Sequence, residues 1–285
     1  MEEFYLKALK GQKEKMKRIE EEELKKIQLE ILKYIDKVCR SNNISYTIAY
    51  GTLIGAVRHK GYIPWDDDID IILLREDYEK LLNILYKEND KSNYQIMSLK
   101  EEDYYYTFAK VCDKRTKLVE RNWGEIQGLG VYVDIFPFDG WPEEGIEECF
   151  DEANKIRRNI QDCMTNIWYC HKKRYMRILK YILKYNKIKK KRKNGADFYK
   201  KQLEDFIKNY DQNTKNVGLL TSGISHPVIV PKKVFDEYIE LEFENEKFMA
   251  VKDFDTLLKL EYGDYMKLPP VEQRISNHDF EAYWR

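Results

Sequence analysis

Between residues 13 and 42, apolar side chains at Met16, Ile19, Leu24, Ile27, Leu29, Ile31, Leu32, Ile35 and Val38 recur among glutamates and lysines. That near-helical period predicts one amphipathic helix, ended by Ser41-Asn42-Asn43. The period then shortens. ISYTIAYG (44–51) is rich in β-branched and aromatic residues and predicts a strand closed by Gly51. TLIGAVRH (52–59) predicts a short helix with Thr52 as its cap, and KGYIPW (60–65) a turn. DDIDIILL (67–74) predicts a second strand, and REDYEKLLNILYKEN (75–89) an amphipathic helix. YYYTFAKVCD (104–113) and GVYVDIFPFDG (130–140) predict two further strands.

These elements predict an α+β protein: a mixed sheet flanked by helices, with an additional, largely helical basic segment. Four regions follow. Residues 1–43 form a helical segment packed on the core, and 44–145 form the core itself. Residues 146–217 form the basic helical segment, and 218–285 pack back on the core. Lys172 to Lys201 holds fourteen Lys or Arg and one acid, Asp197. Ile178, Leu179, Ile182 and Leu183 form an apolar stripe within it, and Lys187 to Lys193 with Asn194-Gly195 is its loop candidate. HPVIVP (226–231) has β character, and DFDTLLKLEYGDYM (253–266) predicts a last helix before the tail.

Charge and cysteine content narrow the class. Fifty basic residues balance fifty acidic ones, so global charge offers no argument for a nucleic-acid partner. The opening MEEFYLKALKGQKEK has no apolar signal core, and no segment reaches the roughly 18–20 apolar residues of a membrane span. A cytoplasmic location is expected. The five cysteines include no C-x-x-C pair and read as free thiols. Cys163, Cys170 and His171 are a weak zinc candidate with no complete four-ligand spacing. The four histidines, His59, His171, His226 and His278, give no triad pattern.

The chemistry concentrates at Asp66, Asp67, Asp68 and Asp70. In a strand, alternate side chains share a face, so Asp68 and Asp70 would point together, roughly 6.7 Å apart. Asp66 shares that parity at the strand mouth, and Asp67 would point away. Two carboxylates at this spacing can hold Mg²⁺, whereas a solvated acidic turn is the plainer alternative. Asp134, alone among Val131, Val133, Ile135 and Phe136, needs a partner and supplies a third carboxylate. Gly51 and Thr52 lie where a helix start offers free N–H groups to a phosphate. Arg58, His59, Lys60 and Lys110 are either solvent-facing charges or neutralisers of a pyrophosphate. Trp65 either stacks on a base or packs a turn.

Strand, Gly-Thr, helix, Asp-x-Asp strand and a later Asp resemble the nucleotidyltransferase fold, with a somewhat longer Gly51-to-Asp68 spacing. GTLIGAVRHKGYIPWDDDIDI resembles the LicD family almost residue by residue, and VYVDIFPFDG and LEYGDYMKLPP are similar to two further blocks of it. The blocks run from Gly51 to Pro270. Only 145–217 lacks a motif that the resemblance covers.

The resemblance implies transfer of a phosphorylated alcohol from a CDP-activated donor to a glycan hydroxyl, with CMP leaving. Phosphocholine and ribitol phosphate are known cargoes of the family and its fukutin-related branch. It implies Asp68, Asp70 and Asp134 as ligands of Mg²⁺ (or Mn²⁺), with Asp134 a candidate acceptor of the hydroxyl proton. It also implies that Gly51 and Thr52 face the donor phosphates. Arg274 and His278, in the tail block, are candidate donor or acceptor contacts. The basic segment is either a solvated helical pair or, where the acceptor is lipid-linked, a peripheral contact at the inner membrane face. The rival readings are a D-x-D glycosyltransferase using a nucleotide sugar, a nucleotidyltransferase that moves the nucleotide itself, and a metal-free binding protein.

Overall fold

The computed structural model describes residues 16–120, 126–164, 174–210, 213–221, 226–275 and 280–285. Seven α-helices and eleven strands occur among them.

The first helix, α1 (Glu21–Ser41), is shorter than the apolar period predicts. Glu21, Glu22 and Glu23 fill its first turn, where negative charge suits the helix dipole. Residues just before it instead meet the C-terminus: Ile19 N–H donates to Ala282 O at 2.9 Å, and Arg18 bridges Tyr283. Ile19 is therefore buried by strand-like pairing rather than by the helix stripe. Residues 13–15 of the expected helix lie outside the described residues.

The expected strand 44–51 reduces to β1 (Thr47–Ile48), because Tyr50 already starts α2 (Tyr50–Arg58). Tyr50 has φ +46°, a left-handed conformation that is uncommon for a side chain of its size. β2 (Asp70–Leu74) leads directly into α3 (Arg75–Glu88). β3 (Tyr94–Met97), β4 (Ala109–Asp113), β5 (Thr116–Glu120) and β6 (Tyr132–Gly140) follow. Of the predicted strand 104–113 only the second half forms. Tyr104 turns back to donate to Phe108 O at 2.8 Å, which closes the preceding residues into a buried loop.

α4 (Ile146–Met164), α5 (Arg174–Asn194) and α6 (Ala196–Lys208) make up the basic segment. The predicted loop at Lys187–Lys193 is helical and lies inside α5. The chain breaks only at Gly195, whose φ of +83° few other residues tolerate. Two short strands, β7 (Asn216–Gly218) and β8 (Val230–Pro231), precede the hairpin of β9 (Tyr238–Phe243) and β10 (Glu246–Val251). Glu244 and Asn245 turn that hairpin with φ of +53° and +62°, as a two-residue loop of matching twist requires. α7 (Phe254–Tyr262) begins at Asp253, which accepts from Thr256 N–H, and β11 (Phe280–Trp284) pairs with β5.

The seven-stranded sheet runs β1-β2-β6-β4-β3, with β7 on the end of β6 and β8 on β7. Only β2 and β6 are parallel; the other pairings are antiparallel. The sheet is therefore mixed, as expected of an α+β protein. One core joins the sheet to α1, α2, α3 and α7. A second, with Trp141, Phe150, Ile160, Tyr199 and Leu203, seats α4 and α6.

Candidate active site

β2 and β6 bring the carboxylates together. Their parallel register sets Asp70 beside Asp134, with backbones roughly 4.8 Å apart. Asp70 is locked at the strand start: its N–H donates to Thr52 Oγ1 at 2.9 Å, and its carbonyl accepts from Ala49 N–H at 2.9 Å. Thr52 is thus buried in the first turn of α2 and braces β2. It is not the helix cap that the sequence predicts; Ala49 holds that position without a side-chain bond.

The D-x-D strand geometry is corrected in one respect. β2 begins at Asp70, so Asp66, Asp67 and Asp68 belong to the preceding turn, where strand alternation does not apply. Carboxylate oxygens of all three lie within 4.8 Å of one another, so Asp67 joins the cluster instead of pointing away. The turn is held from outside. Gln28 of α1 donates to Asp67 O at 2.8 Å, and Asp66 N–H donates to Ile63 O at 2.9 Å. The β9–β10 hairpin fixes its approach: Glu244 N–H donates to Lys60 O at 2.9 Å, and the Glu244 carboxylate accepts from Tyr62 N–H at 3.1 Å.

Gly51 is required by this arrangement. A Cβ there would collide with Asp66 Oδ2, so glycine lets the carboxylate lie directly on the start of α2. Burial pushes the Asp70 carboxyl well above the usual carboxylate range, and the charges of Asp68, Asp134 and Asp66 push it further. Asp66, Asp67 and Asp68 form an oxygen-donor set, with Asp70 close enough to feel the charges of Asp68 and Asp66, and such sets suit a hard divalent cation such as Mg²⁺.

Lys110 is neither solvent-facing nor open to a ligand. It is 1 % exposed, its Nζ lies 2.6 Å from Asp134 Oδ1, and it sits 3.4 Å from the Tyr132 ring centroid and 4.6 Å from that of Tyr106. The partner that Asp134 needs is therefore, at least in part, this ammonium. Arg58, Trp65 and Arg274 come together beside the turn. Arg58 donates to Tyr265 O at 2.6 Å, and Arg274 stacks on Trp65 with 5.5 Å between guanidinium carbon and ring centroid. Loss of water, and then the nearby Arg274, lowers the affinity of Arg58 for its proton. Trp65, Asp67 and Arg274 also line a cleft of about 470 Å³. Lys60 is exposed, with φ +62°. His278, like Cys170 and His171, lies outside the described residues.

Sequence reasoning missed a second cleft, of about 450 Å³, lined by Tyr50, Phe108, Phe136, Glu261 and Tyr262 among others. It adjoins the acidic site. The Tyr262 phenol is raised by loss of water, then by the charges of Glu261, Asp70, Asp66 and Asp68. Glu261 is half-buried, and loss of water pushes its carboxyl up to about 8. The available signal was the position of Glu261 and Tyr262 within the block LEYGDYMKLPP, next to the helix end at Gly263.

A mixed α/β sheet that gathers aspartates from a turn and two parallel strands at a helix start defines a candidate acidic, cation-holding site. The sequence profile of the family described as "LicD/FKTN/FKRP, nucleotidyltransferase domain" matches residues 43–188. The lipopolysaccharide cholinephosphotransferase LicD of Haemophilus influenzae is 34% identical over 284 residues, which cover 94% of this chain and 99% of that protein. Two uncharacterized Rickettsia proteins share shorter stretches: 48% identity over 56 residues in R. prowazekii and 50% over 48 in R. typhi. The chain belongs to the LicD family.

Proposed function

We propose that this protein transfers phosphocholine from CDP-choline to a hydroxyl of a cell-surface glycan or its lipid-linked precursor. The observation that carries this reading is the Asp66–Asp67–Asp68 carboxylate cluster beside the paired Asp70 and Asp134, in a chain that resembles a cholinephosphotransferase over almost its whole length. The core is then read as a nucleotidyltransferase-like domain.

Asp68, Asp70 and Asp134 would hold Mg²⁺ or Mn²⁺, with Asp66 and Asp67 beside them. When bound, the cation supplies charge neutralisation at the donor pyrophosphate and helps align the displacement. The chain's own residues do the rest. The N–H groups at the start of α2, at Gly51 and Thr52, face the donor phosphates. Arg58 and Arg274 add positive charge, and Trp65 offers a ring face. Lys110 orients Asp134. The acceptor oxygen forms a bond to the phosphorus that carries choline. The bond from that phosphorus to the bridging oxygen of CMP breaks, and the hydroxyl proton passes to a base.

The test is a transfer assay with labelled CDP-choline, Mg²⁺ and a glycan acceptor. CMP release matched by labelled glycan, and lost in Asp70→Asn, supports the reading. Turnover of UDP-sugars alone would favour a glycosyltransferase, and labelled nucleotide left on the acceptor would favour nucleotidyl transfer.

We also assign α5 to contact with an anionic membrane surface. Among the described residues no helix is long and apolar enough to cross a membrane. α5 nevertheless exposes Leu179 (49 %), Ile182 (65 %) and Leu183 (71 %), one turn or more from the exposed cations Lys189, Lys190, Arg192 and Lys193. Apolar residues followed by a basic run suit an interfacial helix. Flotation with vesicles rich in anionic lipid is the check; equal flotation with neutral vesicles would count against it.

A further inference from the structure

The cleft beside the acidic site has a composition that the phosphate chemistry does not explain. Its walls include Tyr50, Phe108, Phe136 and Tyr262. Tyr50 and Phe136 meet edge to face, 5.1 Å between centroids at 87°, and Phe136 lies 4.3 Å from Phe108. Tyr50 holds its place at the cost of φ +46°, and strained residues of this kind gather at ligand sites. One acid enters this aromatic enclosure. Glu261 makes no hydrogen bond or ion pair with any other described residue, and its charge acts on the phenols of Tyr50 and Tyr262, which line the same cleft. Arg157, which also lines the cleft, is turned onto Asn154 Oδ1 and Gln161 Oε1, both at 2.9 Å.

A half-buried carboxylate without a partner is costly to retain in a folded chain. A cation lacking N–H groups would complete it, since the surrounding ring faces attract positive charge and ask for no hydrogen bond. The position fits as well. Phe136 is two residues beyond Asp134 on β6, so both side chains share one face of the sheet, roughly 7 Å apart along the strand. The cleft therefore lies beside the carboxylates, where the alcohol end of a bound donor would extend.

We propose that the Tyr50–Phe136–Tyr262 cleft, with Glu261 at its wall, binds the quaternary ammonium head of the transferred group and selects it over smaller or uncharged alcohols. This rests on the transferase reading and adds its specificity-determining residues. Aromatic rings contribute dispersion and cation–π attraction, and Glu261 contributes charge.

The experiment is calorimetric titration of the Mg²⁺-loaded protein with four donors: CDP-choline, CDP-ethanolamine, CDP-glycerol and CDP-3,3-dimethylbutanol, the last being choline's uncharged carbon isostere. Wild type is expected to bind CDP-choline at least tenfold more tightly than the isostere. Glu261→Gln and Tyr262→Leu should bring that ratio close to one, while binding of CMP is unchanged. Tyr262 is 47 % exposed, so its replacement leaves the core intact, and the CMP titration doubles as a check of folding. Equal affinity of wild type for all four donors would overturn the cleft assignment and leave the transferase reading standing. A preference for CDP-choline that survives both substitutions would place the selectivity elsewhere. Failure of every CDP compound to bind would remove the transferase reading and this inference with it.

Discussion

Replacing Lys110 with methionine tests how the acidic site is held together. Lys110 and Asp134 are 1 % and 6 % exposed and meet at 2.6 Å. Methionine keeps most of the side-chain volume and removes the ammonium. Asp134 is then left deprived of that charge beside Asp70, Asp68 and Asp66, and breaking one side of a buried pair costs about 3–5 kcal/mol. The reverse change, Asp134→Asn, strands the ammonium over the rings of Tyr106, Phe108 and Tyr132. Cation–π contact offsets part of that loss, by about 0.5–2 kcal/mol. Asp134→Asn should therefore cost less than Lys110→Met. The double variant buries no broken pair, and should be more stable than the sum of the two single losses implies by at least about 2 kcal/mol. Urea unfolding followed by far-UV circular dichroism measures all three. With a slope of about 3 kcal/mol per molar urea, Lys110→Met should lower the midpoint by about 1–1.7 M. Saturating Mg²⁺ should recover part of this, because a bound cation supplies the charge that the ammonium had supplied. A Lys110→Met loss under about 1 kcal/mol, or strict additivity in the double variant, would refute the reasoning.

Glu261→Gln should stabilise the ligand-free protein in a pH-dependent way. The folded-state value of about 8 lies above the ordinary 4.5, so the unfolded chain gives up this proton first as pH rises. The penalty is absent below pH 4.5, grows up to about pH 8 and stays constant above it. A tenfold difference in proton affinity is worth about 1.4 kcal/mol, and with partial exposure screening some of it a gain of about 2 kcal/mol is expected at about pH 9 and none at about pH 4; thermal unfolding at the two pH values decides. Gly51→Ala should keep the fold, since alanine favours a helix by about 1 kcal/mol over glycine. It should displace Asp66 and weaken Mn²⁺ about tenfold in an electron-spin titration, and unchanged Mn²⁺ affinity would show that Asp66 plays no part. Thr52→Val removes the acceptor of the Asp70 N–H and should cost about 1–3 kcal/mol in urea unfolding.

The acidic site was legible because burial and charge conflict locally. Asp70 and Asp134 stand out against runs of Ile and Val, and two such residues on neighbouring buried strands needed a shared explanation. Alternation fails for the turn before β2 because where a strand begins depends on its neighbours, here Ala49 and Ile69 bonding to Asp70 and Asp134. Lys110 resembles any surface lysine in sequence, and only the pairing of β4 with β6 sets it opposite Asp134. The β9–β10 hairpin escapes a sequence reading because Glu244-Asn245 turns with positive φ without a glycine. The aromatic cleft draws Tyr50, Phe108, Phe136 and Tyr262 from four separate segments, a grouping that no local pattern carries. α5 runs through the lysine stretch that the sequence reading takes for a loop and ends at Asn194, since lysine is a good helix former whose charges only need water.

Thermal unfolding with Mg²⁺ and CDP-choline, together or singly, tests the central claim most directly, with Asp68→Asn and Asp70→Asn alongside. A donor at about one hundred times its dissociation constant adds about 2.7 kcal/mol, a rise of about 5 °C or more for a chain of this length. The account predicts that rise only when cation and donor are both present, and its loss in both variants. A rise that needs no cation, persists in Asp70→Asn, or appears with UDP-glucose or ATP and with no CDP compound would contradict it.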